Sequence, residues 1–142
     1  MDKVRIAVAG CGSVSGHYLA HLRECAHVEV VGACDIIESR FRERMAEFEI
    51  PRGFVSADEM IDTLEFDLLL NTTSMPPHYA INKKALSAGK HVFSEKPFAQ
   101  TYADGRELLD LARGKGLRLW GAPNVVTSPQ FNFQLRVLAQ FQ

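Results

Sequence analysis

The chain has 142 residues, of which 46% are hydrophobic and 23% are charged, and its formal net charge at pH 7 is -1. This composition is typical of one soluble globular domain, and the near-zero charge argues against a protein that binds nucleic acid or a membrane surface. No stretch approaches the ~18 apolar residues of a membrane span, and the first residues (MDKVRIAVAG) lack the apolar region of a signal peptide.

Strand-like and helix-like stretches alternate along the chain. Branched apolar runs predict strands, and apolar residues spaced three or four apart predict helices. In chain order we predict a strand at 3–9, a helix at 15–25, a strand at 27–34, a helix at 38–48, a short strand at 53–55, a helix at 57–64, a strand at 67–71, a helix at 77–88, a strand at 90–93, a helix at 102–115 and a strand at 117–120. Ser56 is expected to cap the third helix, and Gly89 and Gly116 to end the fourth and fifth.

This alternation predicts an α/β fold with about six strands. Strands joined by helices form a parallel sheet that is covered on both faces, and a glycine turn after the first strand is typical of a doubly wound (Rossmann) sheet. Ligands of such sheets lie beyond the carboxyl ends of the strands. The candidate site residues do follow strands, at 10–15, 35, 71–73 and 94–97.

The turn after the first strand reads GCGSVS, and it matches G-x-G-x-x-G except that Ser15 takes the third glycine position. Gly10 would make the tight turn, and Gly12 would let backbone N–H groups approach a pyrophosphate at the helix N-terminus. The alternative is a turn that only packs well. Its place between a strand and a helix favours a dinucleotide site. The predicted cofactor-binding residues here are Gly10, Gly12, Ser13, Val14 and Ser15.

Asp35 stands at the end of the second predicted strand. A carboxylate there accepts hydrogen bonds from the ribose hydroxyls of NAD and repels the 2′-phosphate of NADP, so we expect NAD rather than NADP. Arg40 and Arg42, on the next helix, are close enough along the chain to reach a phosphate. The alternative is that Asp35 only caps that helix.

The segment AGKHVFSEKPFAQT (residues 88–101), taken with the glycine turn, Asp35 and the NTT triplet at 71–73, resembles the glucose–fructose oxidoreductase, inositol dehydrogenase and MocA family. The resemblance covers essentially the whole chain, and GAPNVVTSP (residues 121–129) adds to it. It implies an NAD-dependent dehydrogenase that acts on a hydroxyl of a sugar, sugar derivative or cyclitol.

The resemblance also implies a role for each matching residue. Lys96 would contact the nicotinamide ribose and would also be catalytic, because an ammonium beside the reacting hydroxyl helps it lose its proton as hydride leaves the carbon. Glu95 would position the nicotinamide end of the cofactor, and a cis peptide before Pro97 would aim Lys96 into the cleft. His78 would lie near the cofactor, although capping or solvent exposure is the alternative. The other implied contacts are Asn71, Thr72, Thr73 and Asn124.

Family members are more than twice this length, so we expect residues 1–142 to be a dinucleotide-binding domain that lacks the substrate domain and turns over little by itself. The last residues (SPQFNFQLRVLAQFQ) predict a helix that is apolar on two faces, which suggests packing against a further domain or a second copy of the chain. The alternative functions are a dinucleotide sensor without chemistry and an NAD-dependent glycosidase-like enzyme.

Two other features are interpreted as structural. Cys11, Cys25 and Cys34 are odd in number and follow no C-x-x-C spacing, which indicates reduced thiols and a cytoplasmic protein, with Cys11 a small packing residue. His17 and His21 are four residues apart on a predicted helix, but no third ligand stands at a suitable spacing. The sequence therefore predicts no metal site.

Overall fold

A computed structural model describes residues 3–122 of the chain. In chain order its elements are β1 (Val4–Ala9), α1 (Ser13–Arg23), β2 (Val28–Cys34), α2 (Glu38–Phe48), β3 (Gly53–Phe54), α3 (Ala57–Thr63), β4 (Leu68–Asn71), α4 (His78–Ser87), β5 (His91–Ser94), α5 (Tyr102–Gly114) and β6 (Leu119–Gly121). The six strands form one sheet in the order β3-β2-β1-β4-β5-β6, and every neighbouring pair is parallel. The predicted doubly wound α/β sheet is confirmed.

The elements predicted between residues 3 and 120 are all present, with ends that differ by at most two residues. Helix α1 begins at Ser13 rather than at residue 15, because Gly12 already serves as its N-cap. Strand β6 begins at Leu119 rather than at residue 117, because the Leu117 N–H donates to the carbonyl of Ala112 and closes the end of α5. The Ser56 cap is confirmed by its hydroxyl, which accepts the N–H of Glu59 at 3.3 Å.

Alternate strand residues supply two separate cores, one on each face of the sheet. Ala7, Ala9 and Leu69 pack with residues of α3, α4 and α5. Ile6, Val8 and Leu70 pack instead with residues of α1 and α2. Because side chains alternate between the faces of a strand, both faces need a helical cover, and the near-continuous apolar sequence of the central strands follows from that.

The strand register brings the carboxyl ends of four strands to one level. Ala9 of β1 lies opposite Cys34 of β2 and Asn71 of β4, and Asn71 lies opposite Ser94 of β5. The residues that follow these strands therefore meet along one edge of the sheet. Strand β1 lies between β2 and β4, so the chain reverses its winding direction here, and a crevice opens at such a point.

Two expectations fall on residues 123–142 and lie outside the described residues, namely the contact of Asn124 and the apolar last helix. None of the helices between residues 3 and 122 is long and apolar enough to cross a membrane.

Candidate functional site

The two glycines of the turn after β1 differ in what surrounds them. Gly10 has a φ of +91°, and a Cβ there would lie 2.5 Å from the Thr73 nitrogen. No atom lies within 4 Å of a Cβ built on Gly12, which is the N-cap of α1 and receives no side-chain cap. Gly10 is therefore required by the fold, whereas Gly12 leaves an open backbone surface at a helix N-terminus, where an anion is favoured.

The rest of the turn leads into α1. Ser15 is fully buried, and its hydroxyl donates to the Gly12 carbonyl at 2.7 Å. A small residue is needed at this position because the helix packs closely on the sheet. Ser13 and Val14 are exposed on the first turn of the helix, beside the open surface at Gly12.

Asp35 follows β2, and backbone N–H groups hold its carboxylate on both sides. Oδ2 accepts the N–H of Cys11 at 2.8 Å, and Oδ1 accepts the N–H of Ile37 at 2.9 Å. Asp35 is thus tied to the glycine turn as well as to the start of α2. Each carboxylate oxygen has a second lone pair, so the side chain can still accept hydrogen bonds from a ribose.

A cleft runs between the glycine turn, the end of β2 and the loop after β4. Its lining includes Gly10, Gly12, Asp35, Ile36, Arg40, Val55, Thr72, Thr73, Ser74 and Pro77. Arg40 is exposed on the wall beside Asp35, whereas Arg42 forms an ion pair with Glu38. Of the two arginines considered from the sequence, only Arg40 lines this cleft.

Cys11 is buried beneath the turn. Burial, and to a lesser degree the charge of Asp35, raise the pKa of its thiol to about 12. The thiol is therefore protonated at neutral pH and is a poor nucleophile. This supports its interpretation as a packing residue.

The NTT triplet at the end of β4 places two side chains at the cleft and one in the core. Thr72 donates its hydroxyl to the Gly10 carbonyl at 2.6 Å, and both Thr72 and Thr73 line the cleft. Asn71 is fully buried behind them: its Oδ1 accepts from the Thr73 hydroxyl at 2.7 Å, and its Nδ2 donates to Asn82 at 2.8 Å. The Asn71 side chain therefore orients Thr73 rather than lining the cleft itself.

His78 begins α4, and only 2% of it is exposed. Its Nδ1 lies 2.8 Å from the Pro97 carbonyl oxygen, and its Nε2 lies 2.9 Å from that of Thr73. The ring thus joins the loop after β4 to the loop after β5. It is neither a helix cap nor exposed to solvent.

Glu95 and Lys96 follow β5. The Glu95 N–H donates to the Asn71 carbonyl at 2.8 Å, and its carboxylate accepts the Tyr18 hydroxyl at 2.6 Å and the Lys96 N–H at 3.1 Å. The Lys96–Pro97 peptide is cis, as the resemblance implied. Lys96 is exposed, and among residues 3–122 its ammonium has no hydrogen-bond or ion-pair partner.

Two residues that join this site were not singled out from the sequence. Tyr18 precedes Leu19 and Leu22 in the sequence of α1, where its spacing indicates only a residue that packs against the sheet. Asn82 is fully buried and donates to Ser94 Oγ and to the Phe98 carbonyl, each at 3.1 Å. Its position, four residues after His78 and three before Ala85, placed a polar side chain on the buried face of α4, and this was the signal that could have revealed it.

The residues present fit an extended dinucleotide. Asp35, the glycine turn, the triplet and Glu95 follow β2, β1, β4 and β5, so they span three strand spacings, or about 14 Å. The open surface at Gly12 lies at the centre of this row. In the described part of the chain, no three His, Cys, Asp or Glu side chains are grouped so as to hold a metal ion.

Comparison with known proteins identifies the family. A family model described as an oxidoreductase family with an NAD-binding Rossmann fold matches residues 4–122, which confirms the resemblance inferred from the sequence. D-apiose dehydrogenase of Paraburkholderia graminis is 31% identical over 113 residues, which are 80% of this chain and 30% of that protein. The chain thus spans about a third of the length of this relative.

Solved structures show the same fold. Biliverdin reductase of Synechocystis sp. PCC 6803, solved with biliverdin and NADP+, is 34% identical with a TM-score of 0.78, over 83% of this chain and 37% of that one. The WlbA dehydrogenase of Bordetella pertussis, solved with NADH and UDP-GlcNAcA, is 24% identical with a TM-score of 0.88, over 97% of this chain and 42% of that one.

Proposed function

Because the chain belongs to the Gfo/Idh/MocA oxidoreductase family, whose NAD-binding Rossmann model spans residues 4–122, we propose that residues 1–142 form a domain that holds NAD along the carboxyl edge of the sheet. The pyrophosphate lies at Gly12, the adenosine on the β2 side and the nicotinamide on the β5 side. The observation that carries this proposal is the open backbone surface at Gly12, with the held carboxylate of Asp35 beside it.

We propose that NAD is preferred over NADP. The Asp35 carboxylate is fixed by two N–H groups, so it cannot turn away from a ribose, and its charge repels a 2′-phosphate. Arg40 on the same cleft opposes this preference because its exposed guanidinium can pair with a phosphate. The ratio of NADH to NADPH affinity therefore reflects a balance between these two side chains.

Where this domain is joined to a substrate domain, the reaction we propose is oxidation of a sugar or cyclitol hydroxyl, in line with relatives that act on D-apiose and bind UDP-GlcNAcA. NAD, when bound, supplies the hydride acceptor. The Lys96 ammonium interacts with the reacting hydroxyl oxygen and stabilises the charge that develops there as the O–H proton passes to a general base, which a substrate domain would supply. A pure dinucleotide sensor has no need of a lysine at this position.

Calorimetric titration of the chain with NADH and NADPH tests the cofactor proposal. We expect saturable binding of both, with NADH tighter. Asp35→Ala should weaken NADH binding by about tenfold or more, because a charge-assisted hydrogen bond to the ribose is lost. Arg40→Ala should weaken NADPH binding and leave NADH binding nearly unchanged.

The matched control is Arg42→Ala, since Arg42 is on the same helix and is paired with Glu38 away from the cleft. It should change neither affinity. Absence of NADH binding by a folded chain would refute the proposed site, and an unchanged NADH affinity in Asp35→Ala would refute the role of Asp35.

The cysteines bear on where the protein resides. Cys11 and Cys34 are buried and free. We propose a reducing compartment such as the cytoplasm, where both thiols persist. Mass spectrometry after thiol alkylation of protein taken from cells tests this, and an oxidised Cys11 or Cys34 would contradict it.

A further inference from the structure

Tyr18 extends from α1 to the end of β5. Its hydroxyl donates to Glu95 Oε1 at 2.6 Å, and Glu95 Oε2 accepts the N–H of Lys96 at 3.1 Å. One carboxylate therefore joins the phenol of α1 to the backbone of the proposed catalytic lysine. We propose that Tyr18 is a positioning residue, which holds Glu95 and Lys96 in the orientation that meets the nicotinamide end of the cofactor; this inference rests on the proposed function.

The ring of Tyr18 is itself held in place. It is half-buried and packs edge-on against Phe93, with ring centroids 5.9 Å apart and planes at 69°. Phe93 belongs to β5 and stands two residues before Glu95, so the phenol and the carboxylate are fixed to the same strand. A hydrogen bond between groups that are already ordered costs little further side-chain entropy.

The phenol remains a donor over the physiological pH range. Burial, and next the hydrogen bond to Glu95, raise the pKa of Tyr18 well above its ordinary value. The hydroxyl therefore keeps its proton, and the Glu95 carboxylate always has a donor on the α1 side. Its other oxygen remains directed at the Lys96 backbone.

The rest of the segment is held from the α4 side. His78 contacts the Pro97 carbonyl oxygen at 2.8 Å, and Asn82 donates to the Phe98 carbonyl at 3.1 Å. Tyr18 supplies the corresponding contact from α1, on the opposite face of the sheet. Because Gly12 is the N-cap of α1, this contact also links the proposed pyrophosphate surface to Lys96. Removing the Tyr18 hydroxyl should loosen the nicotinamide end and leave the adenosine end intact.

The test compares NADH with ADP-ribose, which lacks the nicotinamide ring, in calorimetric titrations of the chain and of its Tyr18→Phe variant. Phenylalanine keeps the ring and its contact with Phe93 and removes only the hydroxyl. We expect NADH binding to weaken by about two- to tenfold, the value of one hydrogen bond, and ADP-ribose binding to stay unchanged. Adding Tyr18→Phe to a Glu95→Ala variant should weaken NADH binding no further than Glu95→Ala alone, because the carboxylate that accepts the Tyr18 hydroxyl is already gone.

Tyr79→Phe is the matched control, since the Tyr79 hydroxyl also donates to a carboxylate, that of Glu107, on an exposed surface away from the cleft. It should change neither affinity. Equal loss of NADH and ADP-ribose binding in Tyr18→Phe would mean a general structural effect and overturn the inference. Unchanged binding of both would overturn it too, as would a wild-type chain that binds the two ligands equally well.

A second measurement separates failure of this inference from failure of the proposed function. In the ¹H–¹⁵N spectrum of the ligand-free chain, Tyr18→Phe should shift the Lys96 amide resonance, whereas Tyr79→Phe should not. If the wild-type chain binds no dinucleotide, the proposed function fails, yet the Lys96 resonance still tests the contact. If the Lys96 amide resonance is the same in Tyr18→Phe as in wild type, the inference about Tyr18 is overturned. The proposal that the chain binds NADH would not be affected by that result.

Discussion

Thr72 and Gly10 are joined by a hydrogen bond of 2.6 Å from the threonine hydroxyl to the glycine carbonyl. The bond fastens the loop after β4 to the turn after β1, where the two loops form adjacent walls of the cleft. It also explains why no side chain is tolerated at Gly10, because a Cβ would lie 2.6 Å from the Thr72 carbonyl carbon. The two glycines of the turn should therefore respond differently to the same substitution.

Gly10→Ala should chiefly destabilise the fold, whereas Gly12→Ala should chiefly impair ligand binding. Alanine at a φ of +91° is strained and collides with backbone, so Gly10→Ala should lower the free energy of unfolding by about 1–3 kcal/mol or more. The open surroundings of Gly12 limit the cost there to about 1 kcal/mol, that of a poorer helix cap. Urea denaturation of both variants measures these values.

Gly12→Ala should nevertheless weaken NADH binding by about tenfold or more, because its methyl group occupies the surface on which the pyrophosphate packs. Wild-type NADH affinity in this variant would mean that Gly12 serves only the turn. Equal stability of the two variants would contradict the difference between the glycines.

Asn82→Ala should lower the free energy of unfolding by about 1–3 kcal/mol, since the buried Asn71 amide and the Ser94 hydroxyl lose their partner without access to water. Ser87→Ala, at an exposed position of the same helix, controls for helix propensity and should be nearly neutral. The comparison uses urea denaturation at neutral pH. A difference below about 0.5 kcal/mol between the variants would show that the buried amide network contributes little.

The sequence predicted the sheet better than the side-chain contacts at its edge. Strand and helix periods are local properties, so every element described between residues 3 and 122 was placed to within two residues, and the residues after β2, β1, β4 and β5 were placed along one edge. Hydrogen bonds between distant residues are not local. Nothing in the spacing of Asp35 indicated that it binds the Cys11 N–H, and Tyr18 was indistinguishable from an ordinary apolar residue of α1.

The triplet after β4 illustrates the same limit. Its position at the cleft was predicted, but the direction of each side chain depends on α4. The Asn71 side chain points into the core because its Nδ2 donates a hydrogen bond to Asn82, whereas Thr73 lines the cleft. The polar ring of His78 can be buried because each of its nitrogens lies within hydrogen-bond distance of a carbonyl oxygen. The directions of these side chains depend on contacts with α4 and with the loop after β5, which the local sequence does not reveal.

Arg5 and Asp67 form an ion pair at the amino ends of β1 and β4, opposite the proposed site. This pair should make the free energy of unfolding depend on pH. Asp67 accepts the Arg5 backbone N–H at 2.8 Å and the guanidinium at 2.7 Å and 3.2 Å. The hydrogen bond from the guanidinium, and then that from the backbone, lower the pKa of Asp67 below its ordinary value. A carboxyl group whose pKa is lowered by folding stabilises the protein above its unfolded pKa of about 3.9 and loses that contribution as the pH falls further.

Asp67→Asn should therefore be less stable than wild type at pH 7, and the gap should narrow below about pH 4. Thermal unfolding followed by circular dichroism at several pH values checks this. Asp110→Asn is the control, because Asp110 is exposed and its ion pairs are 3.7 Å long. A gap that stays constant with pH would contradict the role of the Asp67 charge.

Lys96→Met should leave the fold intact and remove the chemistry. Among residues 3–122 the ammonium has no partner, so the free energy of unfolding should change by less than about 0.5 kcal/mol. Where this domain is joined to a substrate domain, the turnover rate should fall by about a hundredfold or more, the usual effect of losing a group that stabilises the charge of the transition state. Steady-state kinetics with sugar or cyclitol substrates measures this, and a rate within a few-fold of wild type would exclude Lys96 as the catalytic residue.

The most direct test of the whole account is a ¹H–¹⁵N spectrum of the chain recorded as NADH is added. Binding along the carboxyl edge of the sheet should shift the amide resonances of Gly12, Ser13, Asp35, Thr73 and Lys96, and leave those of Arg5 and Asp67 at the opposite edge unchanged. A spectrum that NADH does not alter, or shifts confined to residues away from these loops, would contradict the proposed dinucleotide site.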